Sequence, residues 1–171
     1  MKKLLLTFLA VAFLLTVFIV PCIANAQSGT PIAPTVNYEK VNMENGISYL
    51  LKRAKEKVIL FILSYNPQKK LNYYEKLLDV RLAELKFIVD NKDIANIQVS
   101  SQRYFSTAGQ MTSFVLSKPE LSSQKENLKK IFEKRIDVIE NLMTSYKDTT
   151  AEWRFLRDDV NYLKDYSALL K

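Results

Sequence analysis

From Glu44 onward apolar residues recur every three or four positions, the period of an α-helix, and polar punctuation divides the chain into five such runs. The first run predicts a helix over 46–64. Ile47, Leu50, Leu51, Ala54, Val58, Phe61, Ile62 and Tyr65 fall on one stripe there, the face a bundle helix turns to its core. Asn66 reads as the N-cap and Pro67 as the first-turn residue of a second helix over 67–90. Its stripe is Leu71, Tyr74, Leu78, Leu82, Leu85, Ile88 and Val89. The polar break Asp90-Asn91-Lys92-Asp93 is short enough to return the chain antiparallel.

The third run, 94–116, is rich in Ser, Thr and Val, which are poor helix formers, and contains Gly109. Ile94, Ile97, Tyr104, Ala108, Met111 and Val115 still keep helical spacing, with two short strands as the alternative. A fourth helix is expected to open at Pro119, with Ser123-Gln124-Lys125-Glu126 as a capping box at its start or part of its first turn. Leu128, Ile131, Phe132, Ile136, Ile139, Leu142, Met143 and Tyr146 form its stripe. Thr149-Thr150-Ala151-Glu152 reads as a capping box for a fifth helix, whose seam is Trp153, Leu156, Val160, Leu163 and Leu170. The expectation is an all-α protein, an antiparallel bundle of four to five helices preceded by a signal peptide.

That signal is read in the first 26 residues. Lys2 and Lys3 precede the uncharged run Leu4 to Val20, Pro21 breaks any helix, and Ala24-Asn25-Ala26 offers the small-x-small pattern of a signal peptidase site. An uncleaved anchor is the rival reading, because the run is just long enough to span a bilayer. A lipoprotein is disfavoured by Pro21, since a small residue should precede the modified cysteine. Residues 27–43, with Ser28, Gly29, Thr30, Pro31 and Pro34, read as a flexible linker, and 44–171 as the helical domain. The localisation expected is extracytoplasmic: periplasmic, secreted or envelope-associated.

Composition then removes chemistries. The 171 residues include no histidine, so no imidazole base or metal ligand exists. Glycine occurs only at 29, 46 and 109, too sparsely for a phosphate cradle. The single cysteine, Cys22, leaves with the signal, and with it any disulfide or thiolate chemistry. Glu133, Asp137 and Glu140 share one helical face, whereas a glycosidase needs two carboxylates facing across a cleft. Asp90-Asn91-Lys92-Asp93 is too short and too lysine-rich for a calcium loop. No enzyme, no cofactor and no metal site is expected.

One buried charge stands out. Arg81 lies one turn from Leu77, Leu78 and Leu85, so it points along the apolar seam and must find carboxylates there. Glu56, Glu84, Glu133 and Glu140 are the candidates. A structural salt bridge of Arg81 with Glu56 and Glu84 is the favoured reading, a ligand-binding arginine the other. The stretches around it, Tyr49-Leu50-Leu51-Lys52-Arg53, Pro67-Gln68-Lys69-Lys70 and Arg81-Leu82-Ala83-Glu84-Leu85, resemble a family of exported bacterial α-helical domains of unknown function. The resemblance covers roughly residues 44–147 and implies an exported helical module with no established activity. The Ser- and Thr-rich third run departs from it.

Two surfaces are candidates for recognition. Val58-Ile59-Leu60-Phe61-Ile62-Leu63 is apolar all round, which suits a central buried helix. The alternative is membrane or partner contact through Val58, Ile59, Leu60 and Leu63, to be preferred if the fold leaves most of Ile59, Leu60 and Leu63 unburied. Basic residues cluster at Lys52, Arg53, Lys55 and Lys57, at Lys69 and Lys70, and at Lys125, Lys129, Lys130, Lys134 and Arg135. Removing Lys2 and Lys3 lowers the formal net charge from +7 to +5. A solvated face with Glu126–Lys130 and Lys129–Glu133 pairs explains the fourth-helix cluster. Contact of Lys52, Arg53, Lys129 and Lys130 with an anionic envelope polymer or membrane is the alternative, and nucleic acid is not expected. The function expected is a non-catalytic structural or interaction module of the cell envelope, or else an electrostatic binder or a dimerising sensor or accessory subunit, with an envelope component or protein as its unidentified partner.

Overall fold

The computed structural model describes residues 47–171, with side chains from Leu51 onward. The signal segment, the proposed cleavage site and the linker lie outside the described residues. Five α-helices follow in order: α1 Ile47–Ile62, α2 Pro67–Asp90, α3 Ile94–Leu116, α4 Lys125–Met143 and α5 Ala151–Leu169. Short 3-10 segments, Leu63–Tyr65 and Pro119–Gln124, join α1 to α2 and α3 to α4. All regular structure among the described residues is helical.

Local signals set the helix ends. Asn66 caps α2 by accepting the Lys69 amide at 3.0 Å, with Pro67 in the first turn. After α2 the chain turns on Lys92, whose φ of 54° is left-handed. The Lys92 amide bonds Val89 O at 3.1 Å and the Asp93 amide bonds Ile88 O at 3.0 Å, the two bonds of a Schellman cap. A lysine does there what glycine usually does, at some conformational cost.

Two expected ends and one expected core position differ. Pro119 opens a 3-10 segment and α4 begins only at Lys125, its N-cap Gln124 making no side-chain bond, so the Ser123–Glu126 box does not form. At α5 the cap is Thr150, whose hydroxyl accepts the Trp153 amide at 3.2 Å. The box reading placed the cap one residue early; a tryptophan occupies the third position, so no reciprocal Glu bond closes. Ile94, expected on the α3 stripe, is 58% exposed.

The hydroxyl-rich α3 is continuous, and the two-strand alternative fails. Ser100 Oγ and Tyr104 Oη lack a partner and Ser101 donates across to Phe155 O at 3.4 Å, but two buried hydroxyls are satisfied within the helix: Thr107 donates to Arg103 O at 2.8 Å and Thr112 to Ala108 O at 3.0 Å. Each then packs as a small side chain without an unmet donor. Gly109 also has a role, because a Cβ there would meet the Tyr166 hydroxyl of α5 at 2.8 Å.

Helix α3 packs against both α2 and α5, and α5 against α4. Short connections between packed neighbours make α2–α3 and α4–α5 antiparallel hairpins. The core between them includes Leu71, Leu78, Leu85 and Ile88 of α2, with Ile97, Tyr104 and Met111 of α3. Phe132 and Ile139 of α4 and Leu156 and Leu163 of α5 complete it.

Helix α1 stands apart. Its substantial backbone approach is only to the 3-10 turn that follows it. The stripe expected to face the core faces outward instead: Leu51 is 65% exposed, Val58 54%, Phe61 74%, Ile62 60% and Tyr65 92%. Ile59, Leu60 and Leu63 are half-buried, and of the three Leu60 packs against the core. The central-helix reading of Val58–Leu63 is therefore overturned. The physical reason is that α1 turns its ionic face, not its apolar one, to the bundle.

Candidate functional site

The inward face of α1 meets α2 through charges. Arg81, 2% exposed, extends its guanidinium between two carboxylates. Nη1 donates to Glu84 Oε1 and Oε2 at 2.9 and 3.0 Å. Nη2 donates to Glu56 Oε1 and Oε2 at 2.8 and 2.6 Å. Lys52 of α1 adds a bond from Nζ to Glu84 Oε1 at 3.0 Å. Of the four partners considered, Glu56 and Glu84 are the ones used, while Glu140 reaches Lys164 at 3.4 Å. Burial works against the guanidinium charge, but Glu84 and Glu56 outweigh it and hold Arg81 more firmly protonated than usual. The four groups, Lys52, Arg81, Glu56 and Glu84, balance in charge.

Beside this network a groove with a cavity volume of about 330 Å³ opens between α1, α2 and α3. Arg53, Glu56, Lys57 and Leu60 form its α1 wall, and Leu77 and Arg81 of α2 lie at its base. Gln102, Arg103, Ser106 and Gln110 line the α3 side. Gln102, Ser106 and Gln110 are spaced four apart, one row of hydrogen-bonding groups along one helical face.

A second polar cluster lies inside the bundle. Arg135 of α4 donates from Nη2 to Asp79 of α2 at 2.5 Å, removing it from the basic surface expected there. Tyr104 of α3 is fully buried with its hydroxyl unpartnered, and burial pushes that phenol far above its usual range. Asp159 of α5 is also wholly buried, with neither carboxyl oxygen bonded within hydrogen-bond geometry. Burial pushes its carboxyl well above the usual carboxylate range. The adjacent Ser101 hydroxyl opposes that shift and Asp158 adds to it. Ser101 relieves it only in part, because its Oγ is directed to Phe155 O at 3.4 Å.

These core charges were legible by the argument that singled out Arg81. Asp159 lies three residues from Leu156 and four from Leu163, and Arg135 three from Phe132 and four from Ile139. Both interrupt a core stripe. The basic residues Lys52, Arg53, Lys129 and Lys130 are not gathered into one surface. Lys52 is tied to Glu84, Arg53 lines the groove, Lys129 bonds Glu126 at 3.4 Å, and Lys130 is exposed on α4.

Among the described residues no three acidic or other metal-ligating side chains converge, and no helix is long and apolar enough to cross a membrane. Compared with known proteins, the chain matches no family model, no curated protein and no solved structure. The resemblance to exported helical domains rests on the quoted motifs of α1 and α2 alone.

Proposed function

We propose that the protein is a non-catalytic interaction module of the cell envelope that lies on an anionic membrane surface through the outer face of α1. The observation that carries this reading is the outward apolar stripe Leu51, Val58, Phe61, Ile62 and Tyr65. Exposed Lys55 and Lys57 flank the stripe, and exposed Lys69 follows it in the first turn of α2. An apolar face edged by lysines suits the boundary between acyl chains and acidic headgroups. The uncharged run Leu4 to Val20 of the same chain supports a membrane-facing life, whether removed or kept as an anchor.

The magnitude is sufficient. Full burial of each large apolar side chain contributes about 1.5–3 kcal/mol. Burying the parts of Leu51, Val58, Phe61 and Ile62 that are now exposed contributes about 5 kcal/mol in total, with lysine–headgroup attraction added. The contact residues differ from those expected: Val58 takes part, whereas Ile59, Leu60 and Leu63 are turned partly inward and give way to Leu51, Phe61, Ile62 and Tyr65.

Vesicle flotation of residues 27–171, which contain every described helix, tests the reading. Vesicles of phosphatidylcholine with about a third phosphatidylglycerol should carry the protein upward at low salt, and partly so at high salt. Phe61→Ser with Ile62→Ser should leave it at the bottom. Flotation indifferent to those two substitutions overturns the reading. So does a stable dimer that is lost with the same substitutions while vesicles are ignored, because a second copy would then cover the stripe.

A further inference from the structure

A second groove lies between α2, α3 and α5, with a cavity volume of about 660 Å³. Its aromatic walls come from three helices: Tyr74 of α2, Phe114 of α3 and Tyr166 of α5. Packing holds these rings in place before anything binds. Tyr166 ends a stack in which Phe105 and Tyr162 lie 4.4 Å apart, and Tyr162 and Tyr166 6.1 Å apart, centre to centre. Gly109 lets that last ring approach α3, since a Cβ there would meet the Tyr166 hydroxyl at 2.8 Å. Phe114 rests against Tyr74 with ring centres 5.7 Å apart, and the Lys70 ammonium sits 5.0 Å from the Phe114 centre. Rings fixed in this way lose little rotational freedom on binding.

The α3 wall is polar. Gln110, Ser113 and Ser117 are exposed along it, spaced three and four apart, one row on one helical face. The Ser117 hydroxyl donates to Phe114 O at 2.8 Å and keeps its lone pairs for an incoming donor. Gln110 offers both a carbonyl and an amide. None of the described residues that line the groove is charged, so nothing in its walls selects an anion. A cationic ligand would compete with Lys70 for the Phe114 ring. An apolar one would strip water from the α3 row without replacing its hydrogen bonds.

We propose that this groove binds a neutral saccharide, with the C–H face of a sugar ring laid on its aromatic side chains and the hydroxyls read by Gln110, Ser113 and Ser117. The face of an aromatic ring is electron-rich and attracts the slightly positive C–H bonds of a sugar. The hydroxyls at the rim of the sugar ring then meet the donors and acceptors of α3. The volume lies within the range of small-ligand pockets and accommodates a di- or trisaccharide. Neither Phe61 nor Ile62 lines this groove, so the site stands or falls apart from the membrane contact.

The test is saturation-transfer NMR on the whole chain, in a zwitterionic detergent without a sugar head group. The probes are cellotriose, triacetylchitotriose, trigalacturonate and a proline decapeptide. Saturable transfer to at least one of the two neutral trisaccharides is expected, strongest at the C–H protons of one ring face. Ser113→Lys, at an exposed position of the groove wall, should weaken that binding by about tenfold or more by obstructing the groove. Phe114→Ala should weaken it by about tenfold through the lost ring contact. Gln102→Lys, on the same helix outside the groove, should leave it unchanged. Helical circular dichroism matching that of the native chain keeps the comparison one of binding, and Ser113→Lys carries the test if loss of the Phe114 ring loosens the helices. Absence of saturable transfer to both neutral sugars overturns the inference, as does binding that survives Ser113→Lys or is lost with Gln102→Lys. Trigalacturonate binding as tightly as the neutral sugars overturns it too. So does tighter binding of the proline peptide, since the rings would then read a polyproline helix.

Discussion

Asp159 should make the protein less stable as pH rises, the reverse of the usual behaviour of a native carboxylate. Its side chain is wholly buried between α5 and α3, both oxygens lack partners, and burial raises its pKa well above that of the unfolded chain, about 3.9. Between those two values the folded chain holds one proton that the unfolded chain has released. The stability slope is then negative, about 1.4 kcal/mol lost for every pH unit in that window. Below the unfolded pKa both states are protonated and the loss vanishes. Other charges reach the same region: Asp158 on α5, and Arg135 and Asp79 through Tyr104. Glu75, whose pKa burial also raises against the pull of Arg135, titrates nearby on α2.

A difference measurement isolates Asp159 from these neighbours. Urea unfolding of the native chain and of Asp159→Asn, followed by circular dichroism from pH 4.5 to 6.5, should give curves that diverge. The variant should gain steadily on the native chain as pH rises, by at most about 1.4 kcal/mol per unit, whatever offset the amide introduces. Glu75 is present in both proteins and cancels. A difference that stays flat across the range would refute the reasoning, because Asp159 would then be ionised in the native core or solvated there.

Two further outcomes follow from the ionic and turn geometry. Arg81→Met should cost about 3–5 kcal/mol in urea unfolding, since it leaves Glu84 and Glu56 facing each other with Lys52 as the remaining cation, and it should speed amide exchange across residues 51–62 as α1 loosens. An unfolding midpoint within experimental error of the native value would show that the network contributes nothing. Lys92→Gly should stabilise the chain by about 1 kcal/mol, because the left-handed φ of 54° suits glycine better than lysine, and a lower melting temperature would contradict that account.

Much of the bundle was legible because its signals are local. Asn66-Pro67 marks the start of α2 whatever surrounds it, since an N-cap and a proline in the first turn satisfy the same few backbone groups in any context. Asp90 to Asp93 ends α2 and starts α3 by turn chemistry alone. The stripes of α2, α4 and α5 run to the core because each of those helices packs along its length against another, α2 against α3, α4 against α5, and α5 also against α3. Where competing local signals had similar strength, the reading slipped by one element or one residue: Pro119 serves a 3-10 turn as well as an α-helix, and Thr149 and Thr150 are equally good caps in isolation. Propensity undervalued α3, because it does not count the bonds that Thr107 and Thr112 make to their own helix.

The sequence by itself determined the helices, their ends to within a few residues, the absence of histidine chemistry, and the need of Arg81 for acidic partners. Tertiary structure alone decided which way α1 faces, which acids Arg81 takes, and that Arg53, Lys57 and Arg103 line one groove. The reason is one of reference frames. Periodicity defines an apolar direction relative to the axis of a helix, but the direction in the molecule depends on what the neighbours offer. Here α2 offers the buried Arg81–Glu84 pair, whose remaining guanidinium nitrogen and whose carboxylate take up Glu56 and Lys52 of α1, while Leu51, Val58, Phe61 and Ile62 are left in water. So α1 turns Glu56 and Lys52 inward and its apolar stripe outward.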